Sequence, residues 1–318
     1  MPNQYDVMAV NQGTNYSRMG LFGDLPTRMM IGILKAFPNM PYFIEAFLLH
    51  FFTLIVFVLA KQQRESIRDN LKIIHRDLAF CEGYVGAYFV FANFGWNYID
   101  SLRVRLGQNV VSWEMEGQEH FEKIRGSKEA AIIFTTHTGN YDLAAALFAS
   151  EFERVLHTVR IPERSPEMQT LREKELAGDT KKNSYFKVHY NTSDNLLGIE
   201  LARLLSEGEL LAIQCDRVME TVVELPVPLP GRDATFRIPK GPMTLACFSR
   251  SPCYPLYIIR EKRRHYRVIF EAPLQVGNSA KKPRELDYGN AWVRRLLNFL
   301  EQHSSQWFVF EDAFVRKS

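Results

Sequence analysis

A chain of 318 residues, 46% hydrophobic and 24% charged, is long enough to bury a sizeable core, either as one large α/β domain or as a main domain with a small accessory region. A formal net charge of +3, without a basic stripe interleaved with stacking aromatics, argues against nucleic acid as a partner. The four cysteines, Cys81, Cys215, Cys247 and Cys253, show neither Cys-x-x-Cys spacing nor paired histidines, which speaks against a zinc centre or a disulfide framework and fits a reducing, cytosol-facing location.

Residues 1 to about 24 are polar, contain glycine and have no period, so a loose arm is expected. Met1 to Asn15 lacks the basic-then-apolar order of a secretory signal. Between Lys35 and Lys61 the only formal charge is Glu45, and Ala46 to Ala60 carries none. A spanning helix needs about 20 apolar residues, and a carboxylate at the bilayer centre costs roughly 2.5 kcal/mol or more. The preferred reading is an apolar helix docked in the membrane interface or in one leaflet, ahead of a single span and then of a core helix. Lys61, Arg64 and Arg68 follow it, suited to anionic head groups or simply to a solvated helix start. Gln62 to Arg105 predicts two or more helices, with Ile67, Leu71 and Ile74 at helical spacing. Residues 25–105 are thus expected to form a helical, membrane-associating region, and 106–318 an α/β core.

That core opens with a strand over Val110–Gly117 and a short helix over His120–Lys128. The central stretch follows: the apolar run Ala130–Phe134, the polar turn Thr135-Thr136-His137-Thr138-Gly139-Asn140-Tyr141-Asp142, and the helix-favouring Leu143–Ser150. His137 then sits just past the carboxyl end of a strand, where catalytic groups collect in helix-covered sheets. Gly139 permits backbone angles closed to other residues, and Asn140 is a good cap for a helix whose first turn holds Asp142. A carboxylate there stays ionised with the help of the helix dipole and is placed to fold back onto one nitrogen of the imidazole, leaving the other as a base. The plainer alternative is a strand-end histidine and a capping aspartate. Downstream, strands are expected at Arg154–Val159, Phe186–Tyr190 and Glu209–Cys215, and helices at Met168–Leu176, Asn195–Glu207, Pro242–Phe248 and Trp292–His303. A hairpin joins Pro252–Arg260 to His265–Phe270. Strand–helix alternation of this kind predicts a largely parallel sheet covered by helices.

His137-Thr138-Gly139-Asn140-Tyr141-Asp142 resembles the H-x-x-x-x-D signature of the glycerolipid and lipid A acyltransferases, and most of all the bacterial lipid A biosynthesis (lauroyl/myristoyl) acyltransferase family. The likeness continues in Arg68-Asp69-Asn70-Leu71, Val159-Arg160-Ile161-Pro162, Leu211–Asp216, Gly231–Ala246 with Gly241-Pro242, and Trp307–Phe310, covering about residues 25 to 315. The resemblance implies a glycerolipid-acyltransferase-like fold. It also implies transfer of a fatty acyl chain from acyl carrier protein or CoA to a lipid or glycolipid acceptor, such as a lipid A precursor, at the cytoplasmic face of a bacterial inner membrane. It implies no metal and no further cofactor.

In that chemistry His137 takes the proton of an acceptor hydroxyl and Asp142 holds the ring. No Gly-x-Ser-x-Gly elbow is present to suggest a serine acyl-enzyme. The substrate-binding candidates are Gly139, Asn140, Arg160, Asp216, Arg217 and Gly241. Arg160 suits a phosphate in a two-point grip, unless it pairs with Glu153 or Glu163. Asp216 and Arg217 follow an apolar strand, where the family more usually has Asp-Gln. Gly241 stands at a helix start that can approach an anion, or in an ordinary turn. Pro228-Leu229-Pro230-Gly231 departs from the family's aromatic-rich lead into that glycine. Arg260, Lys262, Arg263 and Arg264 form a basic hairpin tip, facing an acidic carrier or a membrane, or only solvent. A non-catalytic lipid-binding or scaffold protein of the same fold is the competing reading.

Overall fold

The computed structural model describes residue 32 and residues 40–108, 111–162, 185–191, 196–219, 222–276 and 283–316. The expected arm at 1–24, the helix at Met168–Leu176 and Glu163 lie outside them. The chain divides into two compact units, residues 1–47 and 48–318; all packing described below is within the second.

Two central strands fix the architecture. β2 (Ala131–Thr135) and β5 (Leu210–Gln214) are apolar on both faces, as strands covered on both sides must be. Ile132, Phe134, Leu211 and Ile213 enter one core with Trp292, while Ala131, Ile133, Leu210 and Ala212 enter another with Phe121, Phe152 and Phe270. Each fully buried Leu, Ile or Phe contributes about 1.5–3 kcal/mol of transfer free energy, which favours this pair of strands at the middle of the sheet.

Around them a seven-stranded sheet runs in the order β1 (Ser112–Glu116), β9 (His265–Phe270), β8 (Cys253–Lys262), β2, β5, β3 (Leu156–Arg160), β4 (Phe186–Tyr190). All neighbours are parallel except the β8–β9 hairpin. A second, antiparallel sheet of β6 (Glu224–Pro228), β7 (Ala234–Pro239) and β10 (Phe314–Arg316) was not anticipated from the sequence. Pro226 and Pro228 disguise β6. Proline cannot donate to a ladder and is confined to sheet edges, and β6 is such an edge. The departure at Pro228–Gly231 is the turn of this hairpin.

Helices α1 (Tyr42–Leu59), α2 (Lys61–Ile74), α3 (Phe80–Arg105), α4 (Gln118–Arg125), α5 (Tyr141–Ala149), α6 (Leu197–Ser206), α7 (Lys240–Ser249) and α8 (Glu285–His303) complete the described elements. α8 begins seven residues before the expected Trp292 start, with Asp287 bonding back to the Arg284 amide as a cap. α1 is, among the described residues, the one helix long and apolar enough to cross a membrane by length and composition. Phe51, Phe52, Leu54, Ile55, Val58 and Leu59 of α1 and Phe80, Val85, Phe89 and Phe94 of α3 are exposed. α2 buries Ile67, Leu71 and Ile74, and the first two meet Ala87, Val90 and Phe91 of α3. Of the basic residues after α1, Lys61 is exposed, whereas Arg64 and Arg68 bond within the fold. Arg64 donates to the Phe57 carbonyl at 2.9 Å near the end of α1, and Arg68 donates to Asp69 and to the Tyr84 hydroxyl.

Candidate active site

The site forms where adjacent parallel strands end level. The β2–β5 register pairs Thr135 with Gln214, so two residues further on His137 falls opposite Asp216. The ladder continues one step past the strands, with the Cys215 amide donating to the Thr135 carbonyl at 2.9 Å. The chain then switches partner, and the His137 amide donates to Asp216 Oδ2 at 2.8 Å. The ring of His137 follows, its Nδ1 lying 2.9 Å from Asp216 Oδ1.

Asp216 is completely buried, and the indole Nε1 of Trp307 donates to its Oδ2 at 2.8 Å. Burial alone would raise its pKa. The charge of His137, its two hydrogen bonds and the indole outweigh that, and the carboxyl is held below its usual range. An ionised carboxylate only accepts, so Nδ1 of His137 is the donor, and in the neutral imidazole the lone pair then falls on Nε2. The His137 side chain is 13% exposed, against none of Asp216. The buried group orients, and the imidazole meets the solvent side.

This corrects the partner expected from the sequence. Asp142 stands in the first turn of α5 as anticipated, but its Oδ1 accepts from Arg160 Nη2 at 2.9 Å, and Asp216 takes Nδ1 of His137. Arg160 closes β3, and Asp142 is its partner rather than Glu153.

Gly139 and Asn140 shape the loop. Gly139 has φ of +52°, and a Cβ there would lie 2.4 Å from the Ile258 carbonyl oxygen, so the turn presses on β8 where only glycine fits. Asn140 is 2% exposed; it accepts from Ser101 at 2.7 Å and donates to the Asn97 carbonyl at 3.1 Å, tying the loop to α3. On the other side Thr138 bridges to Trp307, and the Phe308 amide donates to the His137 carbonyl at 2.8 Å. Trp307 and Phe308 are therefore part of the site. The sequence marked Trp307 and Phe308 only as an aromatic stretch, and a contact across 91 residues leaves no local spacing to read.

The remaining candidates divide. Arg217 is ion-paired with Glu311, whose backbone carbonyl accepts from Asn70 at 2.8 Å. Asn70 also accepts from the Ala313 amide, so the Arg68–Leu71 segment clamps the C-terminal stretch. Gly241 lies in the first turn of α7, with open space where a side chain would begin. The basic tip splits: Lys262 and Arg263 are exposed, whereas Arg260 and Arg264 turn toward buried Asp100 on α3. Glu114, Glu261 and His265 bring three donor atoms within 4.8 Å, but Arg267 shares the two carboxylates. A cavity of about 230 Å³ is lined by Leu274, Gln275, Ala291, Arg294, Arg295 and Asn298, none of them a site residue. None of the four cysteines is in a disulfide.

No curated protein matches the chain. The sequence profile of the family described as Bacterial lipid A biosynthesis acyltransferase matches residues 25–316, nearly its whole length. A buried carboxylate aiming an imidazole at the end of a parallel sheet thus occurs in a chain that belongs to the bacterial lipid A biosynthesis acyltransferase family.

Proposed function

We propose that the protein transfers a fatty acyl chain from an acyl thioester, carried by acyl carrier protein or CoA, to a hydroxyl of a lipid or glycolipid such as a lipid A precursor, on a glycerolipid-acyltransferase-like fold. The observation that carries the reading is the 2.9 Å contact between His137 Nδ1 and a fully buried, ionised Asp216, which leaves Nε2 as a base. Nε2 takes the acceptor's proton as its oxygen attacks the thioester carbonyl. The tetrahedral intermediate then collapses, the C–S bond breaks, and the thiolate leaves with the proton from His137. A thioester already has a good leaving group, so no protein nucleophile is required. Asp216 stabilises the imidazolium formed between the two steps, and the Asp142–Arg160 pair borders the loop from β3.

The exposed apolar side chains of α1 and α3 support membrane association, interfacial or single-pass; the cytoplasmic face of the inner membrane is part of the proposal. Purified protein, an acyl thioester and lipid acceptors, followed by mass spectrometry of the lipid product, test the reading. His137→Ala is expected to lose transfer by a factor of about 10² or more while remaining folded, and Asp216→Asn, which forces the wrong tautomer, to lose about 10²–10⁴ in kcat. Transfer at the wild-type rate by His137→Ala refutes the mechanism. Undiminished lipid binding without transfer from any thioester by the wild type selects the scaffold reading.

A further inference from the structure

Arg260 is not engaged by the dyad, yet it sits beside it. β8 runs parallel to β2, so the carboxyl end of β8 lies at the same edge of the sheet as His137. Ile258 on β8 is the residue against which Gly139 turns, and Arg260 follows two positions later, about 6–7 Å further along the strand. Its amide donates to Gln306 Oε1 at 2.6 Å, and its carbonyl accepts from Gln306 Nε2 at 2.9 Å. Gln306 precedes the Trp307 and Phe308 that hold Asp216 and His137. Arg260 is fixed by the same short segment as the dyad.

Its side chain is 11% exposed, and the guanidinium lies 4.8 Å over the ring of Trp96. The nearest carboxylate oxygen, on Asp100, is 3.6 Å from Nε, beyond hydrogen-bond reach, and that buried Nε has no acceptor. The same oxygen already accepts from the Tyr266 hydroxyl at 2.7 Å, and Arg264 approaches its twin at 3.9 Å. A ligand oxygen cannot reach that enclosed Nε; it can meet the exposed part of the guanidinium, which the 3.6 Å approach to Asp100 leaves without a carboxylate in hydrogen-bond reach. Arg160, by contrast, is already bonded to Asp142.

The surroundings define the ligand's other end. Trp96 meets the ring of His50 on α1 edge-on at 6.5 Å, and the neighbouring faces of α1 and α3 carry exposed Phe51, Ile55, Val85 and Phe89. We propose that Arg260, backed by Trp96, receives the phosphate of an amphiphilic substrate whose apolar chains lie along α1 and α3. It is a specificity-determining residue, and the inference rests on the acyl-transfer reading above.

The test compares wild type, Arg260→Gln and Arg260→Lys in neutral detergent micelles, binding dilauroyl phosphatidate or dilauroylglycerol. Arg260→Gln is expected to weaken phosphatidate binding by about tenfold or more and to leave dilauroylglycerol unchanged; Arg260→Lys, which keeps the charge but not the fork, falls between them. In turnover, KM rises with kcat nearly unchanged. A rise confined to phosphate-bearing acceptors places the acceptor's phosphate there. One confined to acyl-CoA, and absent with the acyl N-acetylcysteamine thioester, places the donor's. Equal weakening of both lipids, no change in either, or a wild type that does not distinguish them overturns the proposal. A wild type that prefers phosphatidate through Arg260 but transfers no acyl group leaves this site standing and removes the catalytic reading.

Discussion

His137 and Asp216 show how a single buried carboxylate is made useful by what surrounds it. Two N–H donors from His137 and one from Trp307 fill its acceptor sites, so it stays charged where burial alone would neutralise it. His157 shows the opposite outcome. It is 2% exposed and stacked at 5.0 Å on His189, and burial, followed by the charge of His189, pushes its pKa from 6.5 to about 4. Burial also lowers His75 and His303. The folded state holds His157 neutral while the unfolded chain takes a proton below about 6.5. Its contribution is therefore complete above that pH and is lost as acid is added toward pH 4. Urea unfolding at pH 7.5 and 5 is expected to show a loss on the order of 1–2 kcal/mol from this residue. His157→Asn should flatten that part of the profile; an unchanged slope refutes the assignment.

At the scale of elements, the turn after β2 is held by β8 on one side and by α3 and the 306–308 segment on the others. Gly139→Ala pushes a methyl into the Ile258 carbonyl while forcing a left-handed conformation on a residue that resists it. The expected cost exceeds about 2 kcal/mol, read as a melting temperature lowered by several degrees together with loss of activity; a variant as stable as wild type refutes the packing role. The strand–turn–helix around His137, the apolar β5 and the β8–β9 hairpin were legible because each is written in consecutive residues. The orienting carboxylate was not, because Asp216 reaches His137 through strand order and register. Asp142, the acid nearest in sequence, was the natural wrong choice. The signal that pointed correctly was modest: an aspartate just past an apolar strand, one neighbour away from β2.

Across the described residues, exposed large apolar side chains are concentrated on α1 and α3, and no charge interrupts α1 after Glu45. Composition made this helix visible, but not the company it keeps, since α3 hides its exposed aromatics in a sequence that also reads as core. If these faces meet lipid, Ile55→Lys with Val58→Lys places two charges where each costs about 2.5–3.5 kcal/mol at the centre of a bilayer. Cell fractionation is expected to move the variant from the membrane pellet to the supernatant. Retention in the pellet by a folded variant refutes lipid contact at these positions.

The clamp on the dyad has a temporal side. Trp307 is synthesised 91 residues after Asp216, the group it holds. A growing chain carries His137 and Asp216 long before it can fix their geometry. The geometry around His137 therefore awaits the arrival of Trp307 and Phe308, and a polypeptide cut short ahead of them is left with an unaligned imidazole.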